Sequence, residues 1–370
     1  MINRKFLVAV PAVAFAALLI AGLVVSVMSL QVVTDKDWQE LKDPQKILSG
    51  EATKRFTKLL NQHFVLGPAF SQIEHGILWN LTGDWGAGVR AGCDDWLFLA
   101  DELEVYPDRL KSAQFRSSLA AKLNTRLNER GIKLLMVVVP DKTRIERAHL
   151  CGLNRAARFE NRVVSWLDGV KSNGVATLDL TTVLAGAAGE RYYRTDTHWN
   201  EPGANVAAQA IAVKLAELQW TTGSSVPVEL NPARVPRSGD LIHLAGIDAL
   251  PGMLRPKPEL AQNTVVPPIA VASDDLFGDA GLPTIALVGT SYSRNANFVP
   301  LLEHHLGVSV ANLAKDGGAF AGAASAYFGG KTFRDNPPKL VIWEIPERVI
   351  ESPITPEERS WLEKLVKGGW

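Results

Sequence analysis

The sequence predicts a doubly wound α/β domain, in which a mostly parallel β-sheet carries helices on both faces. Short apolar runs rich in Val, Ile and Leu alternate with helical patterns from about residue 132 onward. Such runs are typical of strands buried on both faces, and their alternation with helices favours a parallel sheet. A chain of 370 residues with 46% hydrophobic content can bury a large core. The predicted strands are Ile132–Val139, Val175–Leu180, Thr284–Gly289, Val308–Leu313 and Lys339–Glu344.

Helical periodicity fills the segments between several of these runs. Asn200 is predicted to cap one helix, because its side-chain oxygen can accept a hydrogen bond from a first-turn N–H. Pro202 fits the first turn of the same helix. The predicted helices are Gln114–Arg130, Glu160–Val170 and Ala204–Leu218.

Residues 221–282 interrupt the alternation of strands and helices. This segment holds many prolines and few long apolar runs. We interpret it as an irregular insertion between elements of the sheet. Loops of this length are uncommon in compact domains and often serve as lids, so a lid is one expected role.

The N-terminus predicts a membrane anchor. Arg4 and Lys5 precede an uncharged stretch over 6–30, which at about 1.5 Å per residue can cross a bilayer of roughly 30 Å. A cleaved signal peptide also fits, but the end of the stretch is a poor cleavage site. The basic residues before the span place the rest of the chain outside the cytoplasm. The expected organisation is a cytoplasmic tip (1–5), a signal anchor or transmembrane helix (6–30), a stalk (31–60) and the α/β domain (61–370) with its insertion.

Charge and cysteine content exclude some classes of protein. Basic and acidic residues both number 39, so the chain lacks the basic excess of a nucleic-acid-binding protein. Its two cysteines, Cys93 and Cys151, could pair in an oxidising compartment or could be two unrelated thiols. Neither has the spacing of a zinc site.

Asp196 and His198 are the first candidates for catalysis. Residues two apart in an extended segment project to the same side, so the carboxylate can orient the imidazole and stabilise its cation. A surface turn before a helix is the alternative. The other histidines form no H-x-x-E or H-E-x-x-H pattern, so neither a metal nor another cofactor is predicted.

Ser291 is the candidate nucleophile. It stands in Gly289-Thr290-Ser291-Tyr292-Ser293, directly after a predicted buried strand. A glycine permits a sharp strand-to-helix turn, and the helix N-terminus that follows, including Tyr292, can aim backbone N–H groups at a developing oxyanion. An N-cap serine without catalytic function is the alternative.

Gly317 and Gly318 follow the next predicted strand. Paired glycines allow the backbone to approach a ligand closely. They could supply a second oxyanion donor, or they could simply end the strand.

Taken together, these motifs resemble the alginate O-acetyltransferase J and X family, which are SGNH-hydrolase-like proteins of the bacterial periplasm. The resemblance spans about residues 90 to 350, and one departure from the family is Cys93-Asp94, where the family tends to have a glycine-containing turn. It rests on Tyr192–Trp199 with Gly203-Ala204, on Gly289–Ser293, on Asp95–Phe98, on Val139–Lys142 and on Trp343–Arg348.

The resemblance implies an SGNH-hydrolase-like (flavodoxin-like) fold with Ser291 as nucleophile, His198 as base and Asp196 as the residue that orients the base. It also implies a membrane-bound O-acyltransferase as acetyl donor and a polysaccharide, alginate or a similar exopolysaccharide, as substrate. The predicted anchor favours the J type, held in the inner membrane with its catalytic domain in the periplasm.

Three functions remain open from the sequence. The first is O-acetylation of an exported polysaccharide through an acetyl-serine intermediate. The second is a periplasmic carbohydrate acetylesterase, which would use the same three residues. The third is a non-catalytic component that binds or assembles glycans, against which the intact Ser291, His198 and Asp196 argue.

Overall fold

The computed structural model describes residues 4–64, 67–221, 228–248, 250–269 and 283–370. Within it the chain divides into two compact units, residues 1–84 with 246–255, and residues 85–245 with 256–370. Parts of the predicted insertion, namely 222–227, 249 and 270–282, lie outside the described residues.

The first unit is helical where it is described. Capping explains how two of its short helices begin, because Thr34 and Asp43 accept backbone N–H groups of α2 and α3. In the part of the chain that the structure describes, no helix is both long enough and apolar enough for a membrane crossing. The anchor over 6–30 stays a prediction. The helices are α1 (Arg4–Leu30), α2 (Asp35–Leu41), α3 (Pro44–Leu48), α4 (Glu51–His63) and α5 (Gly67–Thr82).

The second unit contains the β-sheet. Strands β4, β3, β9, β7 and β8 lie side by side in that order, and each neighbouring pair is parallel. The five strands predicted from the apolar runs are therefore confirmed, with ends that shift by at most two residues. The strands of this unit are β1 (Val89–Ala91), β2 (Leu97–Leu99), β3 (Lys133–Val139), β4 (Ala176–Asp179), β5 (Arg234–Arg237), β6 (Glu259–Gln262), β7 (Ile285–Val288), β8 (Val310–Asn312) and β9 (Leu340–Pro346).

Helices cover both faces of this sheet, as predicted. Met136 and Val138 of β3 pack into one apolar layer with α6, α8, α13 and α15, whereas Leu135 and Val137 pack into the other with α10 and α12. The cap predicted at Asn200 is confirmed, since its side chain accepts the N–H of Gly203 at 2.9 Å. The helices are α6 (Arg109–Asn128), α7 (Lys142–Ile145), α8 (Arg162–Lys171), α9 (Thr181–Gly186), α10 (Glu201–Glu217), α11 (Asp240–Leu244), α12 (Phe298–Leu306), α13 (Gly322–Phe328), α14 (Lys331–Asp335) and α15 (Pro356–Val366).

The order of the strands differs from the flavodoxin-like order. Counted along the chain, the sheet strands run 2-1-5-3-4, whereas flavodoxin-like sheets run 2-1-3-4-5. The difference arises because the chain, after β8, returns through α13 and α14 and enters the gap between β3 and β7 as β9. This central strand carries Glu344 and leads into Glu347, two buried acids.

A tight hairpin joins β1 and β2. Asp94 and Asp95 both adopt left-handed backbone conformations, with φ of 53° and 60°, and the N–H of Trp96 donates to the Cys93 carbonyl at 2.9 Å. Two successive left-handed residues match a type I′ turn, which suits the twist of a hairpin. Aspartate tolerates this conformation better than most residues, which explains how the turn forms without glycine.

A disulfide joins this hairpin to the segment after β3. Cys93 and Cys151 are bonded, with a Cα–Cα distance of 5.6 Å and a sequence separation of 58. The approach of the two segments is close, because a Cβ on Gly92 would lie 2.0 Å from the His149 carbonyl oxygen.

Replacing both cysteines by serine should lower the free energy of unfolding by about 2–4 kcal/mol, because the open chain gains conformational entropy when it unfolds. Chemical denaturation of the oxidised wild type and of Cys93→Ser/Cys151→Ser measures this difference. Under reducing conditions the wild type should approach the variant. An unchanged midpoint in the variant would show that the bond does not stabilise the fold.

Candidate active site

Ser291 stands at the carboxyl end of β7. Thr290 caps the 3₁₀ helix Ser291–Arg294, since its hydroxyl accepts the N–H of Tyr292 at 3.4 Å. The serine side chain is half-buried at this strand-to-helix turn. The turn after a buried strand, predicted from the sequence, is therefore present.

Glu344 of β9 fixes this turn by hydrogen bonds. Its carboxylate accepts the backbone N–H of Thr290 at 2.6 Å and the hydroxyl of Ser293 at 2.9 Å. A Cβ on Gly289 would lie 2.5 Å from the same carboxylate, so only glycine allows this approach. Burial raises the pKa of Glu344.

His198 connects Ser291 to Asp196. Its Nε2 lies 2.7 Å from the Ser291 hydroxyl oxygen, and its Nδ1 lies 2.6 Å from Asp196 Oδ1. An ionised carboxylate can only accept hydrogen bonds, so Nδ1 carries the proton of the neutral ring and Nε2 faces the serine as an acceptor. His198 is 6% exposed and Asp196 is 1% exposed. The structure thus brings together the three residues selected from the sequence, in the geometry of a serine–histidine–aspartate triad.

The second oxygen of Asp196 is held by the insertion. Arg237 donates to Oδ2 at 2.7 Å and the backbone N–H of Asp240 donates at 3.2 Å. Burial alone would raise the pKa of Asp196, but its bonds to His198 and the charge of Arg237 outweigh burial and hold that pKa well below its usual range. Asp196 therefore stays ionised beside the imidazole.

Asp240 and Glu259, also in the insertion, fix the backbone around the triad. Asp240 accepts the N–H of Thr197 at 2.7 Å, and Glu259 accepts the N–H and the hydroxyl of Thr195. Sequence reasoning missed Arg237, Asp240 and Glu259, because β5, α11 and β6, which carry them, are too short to show a periodicity from which contacts can be inferred. Gly239 packs closely against this loop, since a Cβ added to it would lie 2.0 Å from the Thr195 carbonyl oxygen. The sequence did not predict this contact either.

Three side chains of the site could in principle bind a metal ion. Ligand atoms of Asp196, His198 and Asp240 lie within 4.8 Å of one another. Burial and the charge of Asp196 raise the pKa of Asp240. A metal ion there would have to replace the short His198–Asp196 hydrogen bond and compete with the Arg237 guanidinium, so the arrangement suits proton transfer better than metal binding.

Lys142 ties the triad loop to β2. Its buried ammonium donates to the carbonyl oxygens of Leu97 at 2.5 Å, Arg194 at 2.9 Å and Asp196 at 2.9 Å. It also lies 5.0 Å from the centre of the Trp96 ring. Lys142 thus joins three of the segments on which the family resemblance rests, namely Asp95–Phe98, Val139–Lys142 and Tyr192–Trp199. Burial lowers the pKa of Lys142 to about 8.

Two of the residues expected to bind an oxyanion, Tyr292 and Gly318, make other hydrogen bonds in this structure. The side chain of Tyr292 is buried, and its hydroxyl donates to the Thr197 carbonyl at 3.1 Å. The loop of Gly317 and Gly318 is linked to the end of β7, since Lys315 N–H donates to the Gly289 carbonyl. Gly318 N–H, however, donates to Lys315 within its own turn. The oxyanion roles of Tyr292, Gly317 and Gly318 stay predictions.

Comparison with protein families gives one match over most of the second unit. The family model described as SGNH hydrolase-like domain, acetyltransferase AlgX, matches residues 89–347. The matched range includes Asp196, His198 and Ser291.

Individual relatives agree with this match. The probable alginate O-acetylase AlgJ of Pseudomonas aeruginosa is 30% identical over 341 residues, which cover 87% of this chain and 86% of that protein. The solved O-acetyltransferase domain of Pseudomonas putida AlgJ superposes with a TM-score of 0.65 at 28% identity, covering 76% of this chain and 99% of that one. Pseudomonas aeruginosa AlgX superposes with a TM-score of 0.55 at 25% identity, covering 75% of this chain and 65% of that one.

Replacing Lys142 by Met should destabilise the protein and remove a pH dependence. The folded-state pKa of Lys142 is about 8, below the value of about 10.4 in an unfolded chain. The folded state therefore loses this proton first, and the contribution of Lys142 to stability rises between pH 8 and pH 10 and is lost as pH falls through 8.

Denaturant unfolding of wild type and Lys142→Met at pH 7, 8, 9 and 10 tests this. As pH rises from 7 to 10, the free energy of unfolding of wild type should increase relative to that of Lys142→Met, by up to about 3 kcal/mol. Taking the difference cancels groups that titrate in both proteins. A difference that stays constant across this range would contradict the lowered pKa.

Proposed function

The chain belongs to the family of SGNH hydrolase-like, AlgX-type acetyltransferase domains, and we propose that it O-acetylates an exported polysaccharide of the alginate type through an acetyl-serine intermediate. The observation that carries this proposal is the unbroken series of contacts from Ser291 through His198 and Asp196 to Arg237. A half-buried serine with a base and an ionised carboxylate aligned behind it is suited to acyl transfer.

The first half of the reaction loads the acetyl group. His198 Nε2 takes the proton of Ser291 as the serine oxygen attacks the acetyl carbonyl of the donor. The bond between that carbonyl and the leaving group breaks, and the leaving group takes the proton from His198. Asp196 stabilises the imidazolium in between, and Arg237 keeps Asp196 ionised and in position.

The second half reverses these roles. A sugar hydroxyl gives its proton to His198 and attacks the acetyl carbonyl, and the bond from that carbonyl to Ser291 then breaks. The serine oxygen recovers the proton, and the product is an O-acetylated sugar. The backbone N–H groups of Ser291 and Gly317 are the proposed oxyanion donors. The N–H groups of Tyr292 and Gly318 could take part only by exchanging their present bonds to Thr290 and Lys315.

The setting of the reaction is part of the proposal. Relatives are named as alginate O-acetylases and alginate biosynthesis proteins, which supports alginate or a similar exopolysaccharide as acceptor. We place the catalytic unit in the periplasm, held to the inner membrane by residues 6–30, with a membrane-bound O-acyltransferase as acetyl donor. The disulfide agrees with an oxidising compartment.

Substitution of each triad residue should abolish acetyl transfer without unfolding the chain. Ser291→Ala, His198→Ala and Asp196→Asn should each reduce turnover by about three to four orders of magnitude, and double variants should lose little more, because the residues act as a unit. The assay is acetyl transfer from 4-nitrophenyl acetate to oligomeric alginate by the purified full chain in detergent, with release of 4-nitrophenol and acetylated product measured separately.

The control is Ser118→Ala, an exposed residue on α6 whose hydroxyl donates to the Gln114 carbonyl of the same helix, which should behave as wild type. Melting temperatures verify that the variants fold. Retained turnover in folded Ser291→Ala would refute the nucleophile, and release of acetate without any acetylated product would identify an esterase.

The proposed anchor predicts both topology and attachment. A reporter enzyme that is active only after export, fused after Trp370, should be active, and the chain should remain with membranes after a high-salt wash. The N-terminal peptide should be found intact by mass spectrometry. A fusion that lacks residues 1–30 should be inactive as an exported reporter. A processed chain that is released in soluble form would show a cleaved signal instead.

A further inference from the structure

A polar cavity lies beside the triad, within the second unit. It has a volume of about 380 Å³, within the range of clefts that bind small ligands. One wall is the two-stranded β5–β6 sheet of the insertion, and the other is the segment 294–297 that follows the nucleophile. Its lining includes Tyr193, Arg237, Gln262, Asn263, Arg294 and Asn295.

The wall formed by the nucleophile segment is held in an unusual conformation. Ala296 and Asn297 both have φ of 55°, a left-handed conformation that costs about 1–3 kcal/mol for a non-glycine residue. Asn297 is fixed there by hydrogen bonds to Glu201 at 2.7 Å and to the Thr264 carbonyl at 2.8 Å. Glu201 is buried and also accepts the N–H and hydroxyl of Thr264. The cavity is therefore built before any ligand arrives.

Two guanidinium groups line this cavity. Arg237 is committed to Asp196 and stacks on the ring of Tyr193, 4.4 Å from its centre. Arg294 is 52% exposed, and its contact with Asp316 is a 3.5 Å ion pair between two exposed side chains. Exposed pairs of this kind contribute little to stability, so a ligand anion can compete for the Arg294 guanidinium.

The lining favours an anionic, hydroxylated ligand, because the carboxylate of Glu201, which also lines the cavity, is already bound by Thr264 and Asn297. A guanidinium binds a carboxylate through two parallel hydrogen bonds, and amide side chains such as Gln262 and Asn263 can donate to and accept from hydroxyl groups. A carboxylated sugar unit offers both a carboxylate and vicinal hydroxyls. A neutral sugar would leave the Arg294 guanidinium with its exposed 3.5 Å contact to Asp316 and no carboxylate from the ligand.

We infer that this cavity is the acceptor subsite for a hexuronate unit of the polysaccharide, and that Arg294 binds its carboxylate. Arg294 is three residues from Ser291 in sequence, Asn295 donates to the Ser291 carbonyl, and Arg237 contacts Asp196, so two walls of the cavity are joined directly to the triad. The inference rests on the proposed function for its role in transfer, but binding itself can be measured without catalysis.

The test compares two acceptors that differ only in charge, an oligouronate from alginate and the same oligomer with its carboxyl groups reduced to alcohols. Calorimetry with the full chain in detergent measures binding, and transfer from 4-nitrophenyl acetate measures KM and kcat for each acceptor. Wild type should bind the oligouronate more tightly than the reduced oligomer. Arg294→Gln should weaken oligouronate binding by about tenfold or more, since a charge-assisted hydrogen bond is lost.

Selectivity is the decisive quantity. Arg294→Gln should lose the preference for the charged acceptor in both Kd and KM, and Arg294→Lys should restore part of it. The matched control is Arg158→Gln, an exposed arginine outside this cavity, which should keep the preference. Oligouronate binding that is unaffected by Arg294→Gln, or a wild type with no preference for charge, would overturn the inference.

The two proposals fail in different ways. If wild type binds the oligouronate through Arg294 but never produces acetylated sugar, the transferase function fails and the subsite stands. If Ser291-dependent transfer occurs with equal preference in wild type and Arg294→Gln, the transferase function stands and the subsite fails.

Discussion

An ionised carboxylate that is removed from water must be compensated by several donors, or its burial costs several kcal/mol. Asp196 meets this requirement with the imidazole and backbone N–H of His198 on one oxygen, and with Arg237 and the N–H of Asp240 on the other. These donors come from two distant segments of the chain. The need to satisfy one buried charge thus brings the insertion against the triad loop, and much of the site depends on that contact.

The same principle operates beneath the nucleophile and behind the loop. Glu344, on the central strand of the sheet, accepts the Thr290 N–H of the turn that carries Ser291. Lys142 donates to three carbonyl oxygens of β2 and the triad loop. Each buried charge is matched to polar groups of the backbone, so each fixes a chain segment and not merely a side chain. Preorganised polar groups of this kind are what electrostatic stabilisation of a transition state requires.

The sequence predicted the parts of this structure that depend on local order. Apolar runs identified the five sheet strands, the Asn200 cap followed from a polar residue before a helix, and the spacing of Asp196 and His198 predicted that they would lie together. Tertiary arrangement was not accessible in the same way. Nothing in the local pattern of β9 places it between β3 and β7, and nothing in the proline-rich insertion marks Arg237 as the partner of Asp196, because both contacts join segments far apart in the chain.

The two-stranded β5–β6 sheet limits how acceptor specificity can change within this enzyme family. Arg237 stands on it and faces Asp196, while the same sheet forms one wall of the cavity beside Ser291. In the mechanism and subsite proposed above, exchanging the whole insertion between homologues would therefore alter the acceptor cavity and remove a partner of the Asp196 carboxylate in one step. Evolution or engineering of new acceptor scope is less constrained on the opposite wall, where Arg294 can vary without removing a partner of the triad.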